Sequence, residues 1–464
     1  MSELLFKDFE DVSSKAWKQK IQFDLRGADY NETLIWKTNE GINVKPFYHS
    51  DGFNELPKVS KSKATEWKIS QSITVNNAKT ANLKVIDAIH RGAENIFFNI
   101  KSKNISVEDL FKNIDLDTIN IDITCDFISA SFAKNLNSTI LSKVNHPQTY
   151  IHSDIIGNLA KTGNWHNNLK EDFNNFKSIA NSTNHIGINL GLYQNAGATI
   201  IQQLAYGLAH ANEYLNHIDK IIEKESKQLL QVTFCIAVGS NYFFEIAKIR
   251  ALRLLWSTLA SEYNINTNCR ILATPSKRNK TIYDYNVNML RTSTECMSSI
   301  LGGANVICNL SYDALFHSSN EFGERIARNQ LLILKNESHF DKVNNPSDGS
   351  YYIESLTNQL SEKALSLFKD IESNGGFLSQ LKEGTIQRKI KESAAKEQAD
   401  FDTEKLVLLG TNKHPNLSDK MANDLELSPF IKIKKRKTLI EPIIEKRLSE
   451  NLEIKRLKEE ENQL

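Results

Sequence analysis

Few residues of this chain combine the type and spacing that reactions need. His152 falls in a β-rich run, TYIHSDI (149–155), and a histidine there can serve as a general base. No carboxylate pattern beside it marks a partner, so it reads as a hydrogen-bonded structural histidine. Tyr193 and Gln194 follow another such run, HIGINLG (185–191), at the kind of strand end where parallel barrels build active sites. They are the candidates for a vestigial pocket, with loop or interface packing as the plainer reading. Arg325 and Arg328 stand three apart in SNEFGERIARNQLLILKNES (319–338) and share a helix face. A phosphate would suit them, but an internal salt bridge or an interface suits them better. Gly302 and Gly303 in SSILGGAN (298–305) fit a helix cap and turn rather than a phosphate cradle. The cysteines Cys125, Cys235, Cys269, Cys296 and Cys308 lie far apart, without zinc spacing, and read as reduced core residues.

The elements that would position these residues alternate along the chain. Eight β-rich runs occur: EWKISQSI (66–73), NIFFNI (95–100), TINIDIT (118–124), TYIHSDI, HIGINLG, LLQVTFCIAV (229–238), RILAT (270–274) and ANVICNL (304–310). Helical periodicity fills most of the gaps. After the sixth run, Phe243, Ile246, Ile249, Leu252, Trp256 and Leu259 recur at three- and four-residue steps as one apolar stripe. Such alternation implies right-handed βαβ units and a parallel sheet, and eight units in this length close into a (β/α)8 TIM barrel. An open doubly wound sheet would carry a glycine-rich turn after its first strand, and SQSITVNNAKT has none.

The expected organisation is an N-terminal extended arm (1–55), the barrel (56–375) and a C-terminal helical extension (376–464). Gly41 and Pro46 interrupt the arm, which holds a short helix around Trp17. Gly375 and Gly376 end a helix over 362–371. The KKRK run near the end reads as a solvated connector to a mixed-charge helix.

The bulk composition agrees with a soluble α/β protein. The 464 residues are 40% hydrophobic and 24% charged, with a formal net charge of +1. That balance favours neither nucleic acid nor an anionic membrane. No apolar run approaches the roughly 18 residues of a membrane span, and the N-terminus lacks a secretory pattern. The expected location is cytoplasmic.

Ordered motifs extend this reading. RIARN, followed by NPSDGS and the aromatic helix start YYIESLT, resembles a stretch near the end of the barrel in methylmalonyl-CoA mutases. KTNEGINVKPFY (37–48), NAGAT (195–199), EIAKIRALRLLW (245–256), LRT (290–292), IESNGGF (371–377) and KRLSENLEIKRLKEE (446–460) resemble further family segments in the same order.

The departures bear on role. Catalytic members hold adenosylcobalamin in a C-terminal flavodoxin-like domain whose Asp-x-His-x-x-Gly histidine binds cobalt. This sequence has no such motif and ends about where that domain would begin. The family's Tyr-His pair before NAGAT aligns with Gly191 and Leu192, and an arginine at the sixth strand aligns with Gln231. The Thr-Ile-x-Arg stretch has no counterpart around KPFYHSDGF. In catalytic members the coenzyme A tail threads the barrel axis; here NVICNL implies an interior packed with Ile, Val and Cys.

The resemblance therefore implies a non-catalytic small subunit paired as a heterodimer with a large catalytic subunit. That partner would bind adenosylcobalamin and interconvert (R)-methylmalonyl-CoA and succinyl-CoA, with no catalytic, cofactor or metal residue on this chain. Trp17, Leu34 and Trp36 of the arm are the interface candidates. Two alternatives stand beside this reading: an active acyl-CoA mutase barrel served by a separate cobalamin-binding subunit, and a barrel reused as an interaction scaffold.

Overall fold

The computed structural model describes residues 10–55, 60, 62–144, 148–219, 227–431 and 436–462. Eight parallel strands form one sheet: β1 (Lys68–Val75), β2 (Asn95–Ile100), β3 (Asn120–Cys125), β4 (Thr149–His152), β5 (His185–Asn189), β6 (Gln231–Val238), β7 (Arg270–Pro275) and β8 (Val306–Cys308). Their order, β4-β3-β2-β1-β8-β7-β6-β5, is that of a barrel with β4 and β5 brought round to meet. At this seam side chains do the bridging. His185 bonds the Ile151 carbonyl at 2.9 Å, and the Asn189 amide donates to Asp154 at 2.8 Å.

Strand alternation sorts the two faces. In β2, Ile96, Phe98 and Ile100 are buried outward against Val85 and its neighbours on α2 (Ala78–His90). Phe97 turns inward with Leu272, Val306 and Cys308. The crossover helices are α3 (Ala130–Leu141), α4 (Leu169–Thr183), α5 (Ile200–Ile218), α6 (Tyr242–Glu262), α7 (Val287–Leu301) and α8 (Glu321–Leu332).

A second layer covers part of the barrel. Helix α9 (Tyr351–Ser373) lies across both α5 and α6 and covers Arg250, while Glu245 and Lys248 of α6 are buried toward the barrel, against the Gly239 amide and the Ala237 carbonyl. Phe243, the first residue of the expected stripe, instead points outward toward Tyr352. Helix α9 begins earlier than the expected 362–371 segment and ends where the Gly376 amide bonds the Ile371 carbonyl, with Gly375 and Gly376 at positive φ.

Arg436 and Lys437 of the KKRK run are exposed, as in a solvated connector, and the chain beyond them is anchored. Amides of Ile443 and Lys446 bond carbonyls of Ala160 and Asn195 at 2.7 and 3.1 Å, so the chain crosses the C-terminal end of the barrel. Its last helix, which follows α10 (Thr385–Asp402) and is termed α11 (Glu450–Glu461), buries Glu450, Glu453 and Glu460. Those carboxylates accept from backbone amides of Ile431, Ile282 and Met421. Of the KKRK run, 434 and 435 lie outside the described residues.

At the other end of the chain, α1 (Ser14–Asp24) buries none of its residues. Beyond it, Trp36–Lys37 and Asn43–Val44 form a two-stranded antiparallel ribbon. No helix among the described residues is long and apolar enough to cross a membrane.

Candidate functional site

The barrel interior holds ionised groups where the sequence suggested only Ile, Val and Cys. Val306 and Cys308 do point inward, but Ile307 belongs to the outer core. Deeper in, Arg270 at the start of β7 grips Asp122 of β3 through both guanidinium nitrogens, at 2.6 and 2.7 Å. Its plane lies 3.9 Å from the centre of the Tyr150 ring. The second partner of Asp122 is His152, with Nε2 at 2.8 Å from Oδ1. The other nitrogen of that ring, Nδ1, faces Cys235 Sγ of β6 at 3.9 Å. His185 completes the layer, bonding Thr233 Oγ1 at 2.9 Å. Gly187 on β5 makes room for this packing, because a Cβ there would overlap the His152 ring.

The electrostatics follow from burial and partners. Burial pushes the Asp122 carboxyl up, but Arg270 and then His152 carry it below the ordinary carboxylate range. Burial opposes protonation of His152, yet Cys235 and then Asp122 lift it to about 9. His185 moves the other way, to about 3, through burial and the neighbouring charge of His152.

Above this layer, at the C-terminal ends of the strands, a cavity of about 710 Å³ opens, with His152, Cys235, Phe97 and Leu272 along its wall. Asn99 Oδ1 and Ser153 Oγ in that wall are buried and have no hydrogen-bond partner among the described residues. Lys161 and Lys277 also border it. Asn195 closes one side: it accepts from Ser276 Oγ and the Lys277 amide, and donates to Glu445 of the crossing tail at 2.9 Å.

Tyr193 and Gln194 lie behind this cavity. Tyr193 is fully buried, bonded to His210 Nδ1 at 3.0 Å and packed on Tyr206 and Phe377. Gln194 pairs with Gln203. Gly191, Leu192 and Asn195 reach the cavity from the same segment. Neither Arg325 nor Arg328 forms a salt bridge among the described residues. Arg325 sits over Phe322, and buried Arg328 bonds Gln71 Oε1 of β1 at 3.2 Å. On the arm, Trp17 stacks on Phe47 with 45% of its surface exposed, Leu34 is half-buried, and Trp36 is 51% exposed with its edge toward Phe244. The residues that sequence reasoning missed are Asp122, Arg270 and Cys235. A lone aspartate inside the apolar run TINIDIT was the available signal.

A family model described as methylmalonyl-CoA mutase matches residues 99–459. The chain belongs to the methylmalonyl-CoA mutase family. It is 34% identical to the "Methylmalonyl-CoA mutase small subunit" of Porphyromonas gingivalis, covering 92% of this chain and 73% of that one. To the "Methylmalonyl-CoA mutase large subunit" of the same bacterium it is 28% identical, over 82% of this chain and 61% of that one. To the "Methylmalonyl-CoA mutase" of Rhizobium meliloti it is 30% identical, over 89% and 64%. The chain thus spans less than two thirds of the length of these last two relatives.

In this mutase-family barrel the recognisable motifs wire the outer shell. Glu40 of KTNEGINV accepts from the Ile200 and Ile201 amides at 2.8 and 3.0 Å, at the N-terminus of α5. Arg250 of EIAKIRALRLLW joins Asp348 of NPSDGS and, at 2.6 Å, Glu354 of YYIESLT. NAGAT supplies Asn195. Arg447 of the last motif pairs with Glu453 at 2.5 Å.

For the cobalamin that the family implies, His152 of the cavity wall offers no cobalt ligand. Both nitrogens of His152 are engaged, one on Asp122 and one toward Cys235, so neither is free for a metal.

Proposed function

We propose that this chain is the small, non-catalytic subunit of a heterodimeric adenosylcobalamin-dependent methylmalonyl-CoA mutase. The large subunit would bind the cofactor and interconvert (R)-methylmalonyl-CoA and succinyl-CoA, while this barrel packs beside it. The observation that carries the reading is the higher identity and longer coverage against a named small subunit than against the large subunit of the same bacterium. The filled interior supports it. Where the resemblance leads a coenzyme A tail along the axis, this barrel has the Arg270–Asp122–His152 layer beneath Phe97 and Leu272. Gly191 and Leu192 occupy the positions of the family's Tyr-His pair.

The arm supplies the proposed contact. Trp17, Leu34 and Trp36 lie on or near a surface that also exposes Val12 and Phe23, and α1 gains little by facing water. Size-exclusion chromatography of this chain mixed with its large subunit checks the pairing: one peak containing both is expected, and two unshifted peaks would sink the proposal.

A second reading draws support from the cavity. Its volume and the unpartnered Asn99 and Ser153 suit a barrel that still takes a small molecule. In that reading the chain is an active mutase barrel served by a separate cobalamin-binding subunit.

A further inference from the structure

We infer that the groove between α10 and the crossing tail is a binding site for a medium-chain carboxylate that bears a hydroxyl group at its far end. The inference stands apart from the subunit role and from the cavity at the strand ends.

Helical spacing builds the groove. Gln387, Ile390, Lys391, Ala394, Ala395 and Gln398 recur at three- and four-residue steps and line it from one face of α10. The tail runs beside that face. Its Glu441 carbonyl accepts from Gln387 Nε2 at 2.9 Å, and its Leu448 carbonyl accepts from Gln398 Nε2 at 3.2 Å. Ala394 and Ala395 are small, and the space they leave is bounded by Ile443 and Ile444 of the tail and by Ile454 of α11. The volume is about 550 Å³, within the range of small-molecule sites.

Two buried polar side chains lining the groove have hydrogen-bonding capacity to spare. Gln387 uses Nε2 on the Leu381 and Glu441 carbonyls, but its Oε1 has no donor among the described residues. A buried acceptor left in that state is costly, so a donor on the ligand gains by reaching it. Arg278 gives Nε to Glu397 at 2.5 Å and Nη1 to the Lys446 carbonyl at 2.7 Å. Its Nη2 has no acceptor among the described residues.

The two groups are spaced along the helix. A Cβ on Gly197 would lie 2.5 Å from Ala394 Cβ and 2.8 Å from Arg278 Nη2, so the guanidinium edge stands beside Ala394. Ala394 is two turns from Gln387, about 10 Å along α10. Between them the lining is apolar, with Ile390 of α10 and Ile443 of the tail.

Charge sets which end takes the anion. Lys391, near Gln387, is already joined to Glu441. Glu450, the carboxylate in the lining, accepts from the Ile431 amide at 2.6 Å. Lys446 borders the groove beside Arg278 and forms no ion pair among the described residues. A carboxylate therefore fits at Arg278 and Lys446, where the guanidinium offers a charge-assisted bond. The hydroxyl donates to Gln387, and the methylenes cover the isoleucines.

The test is calorimetric titration of the full chain, alone and mixed with its large subunit. The probes are ω-hydroxyoctanoate, octanoate and the octane α,ω-diol. The hydroxy acid is expected to bind at one site in both preparations. Octanoate should bind about fivefold more weakly and the diol at least about tenfold more weakly, as the lost neutral and charged hydrogen bonds dictate. Ala395→Trp, which fills the groove from an exposed position, should abolish binding without moving the melting temperature. Arg278→Met should erase the preference for the hydroxy acid over the diol; should that variant not fold, Ala395→Trp and the probe series decide. Absence of saturable heat, equal affinity for the three probes, or binding unaffected by Ala395→Trp would overturn the inference. So would loss of binding on adding the large subunit, which would mark the groove as a subunit contact.

Discussion

The helical shell and the barrel interior both bury charge, and they balance it differently. In the shell, Arg250 of α6 meets two carboxylates, Asp348 and Glu354, that arrive from the turn before α9 and from its first helical turn. The contact joins two segments about a hundred residues apart in sequence. Inside the barrel, Arg270 and His152 share the single carboxylate of Asp122, and the set lies beneath an open pocket. The shell pairs clamp layers together. The interior set also orients an imidazole, that of His152.

The comparison can be broken most strongly from inside. Arg270→Ala leaves Asp122 buried without its main partner and is expected to cost about 3–5 kcal/mol in denaturant unfolding. Replacing the pair together, with Asp122→Leu and Arg270→Met, is expected to recover much of that loss. If the double variant were as unstable as the single one, the interior charges would matter for more than mutual compensation.

Arg250→Ala attacks the shell. Buried Glu354 and half-buried Asp348 lose their cation, and about 3 kcal/mol of stability is expected to go, with exposed backbone in α9 read by hydrogen exchange. Equal loss of protection throughout the barrel would show that α9 is not a separable layer.

Titration separates the two histidines. His152 has a folded-state value of about 9, above its unfolded value, so its stabilisation is complete below about pH 6.5 and disappears as pH rises through 9. His185, at about 3, is depressed; its contribution is present above about pH 6.5 and is lost as pH falls toward 3. The stability profile is therefore expected to fall on both sides, by on the order of 3 kcal/mol on the alkaline side. His152→Gln should remove the alkaline limb and keep the acid one; an unchanged alkaline limb would contradict the assignment.

The smallest expected effect on the chain alone is that of Trp17→Ala. The ring is 45% exposed and stacks on Phe47, so the melting temperature should scarcely move while pairing with the large subunit weakens. A large drop in melting temperature with intact pairing would place Trp17 in the fold rather than at an interface.

The barrel was legible in the sequence because strand and helix periods alternate cleanly, and all eight expected runs contain the observed strands or nearly coincide with them. The interior was not. Which face of a strand points to the axis depends on tilt and stagger around the closed sheet, so Asp122 and Arg270, separated by almost 150 residues, gave no local sign of pairing. His152 did read correctly as a hydrogen-bonded residue, but its carboxylate comes from the neighbouring strand and not from nearby sequence. Phe243 fitted a helical stripe by spacing, yet it turns outward to the Tyr352 ring at the start of α9 with 47% of its surface exposed. The burial of Glu450, Glu453 and Glu460 was hidden for a related reason: their partners are backbone amides of distant loops, which composition does not reveal.

The most direct test of the subunit reading is turnover by each chain alone and by the two together, with adenosylcobalamin and methylmalonyl-CoA supplied throughout. The account predicts no turnover by this chain alone and full activity only when the large subunit is present. Succinyl-CoA formed by this chain without a second polypeptide would contradict it.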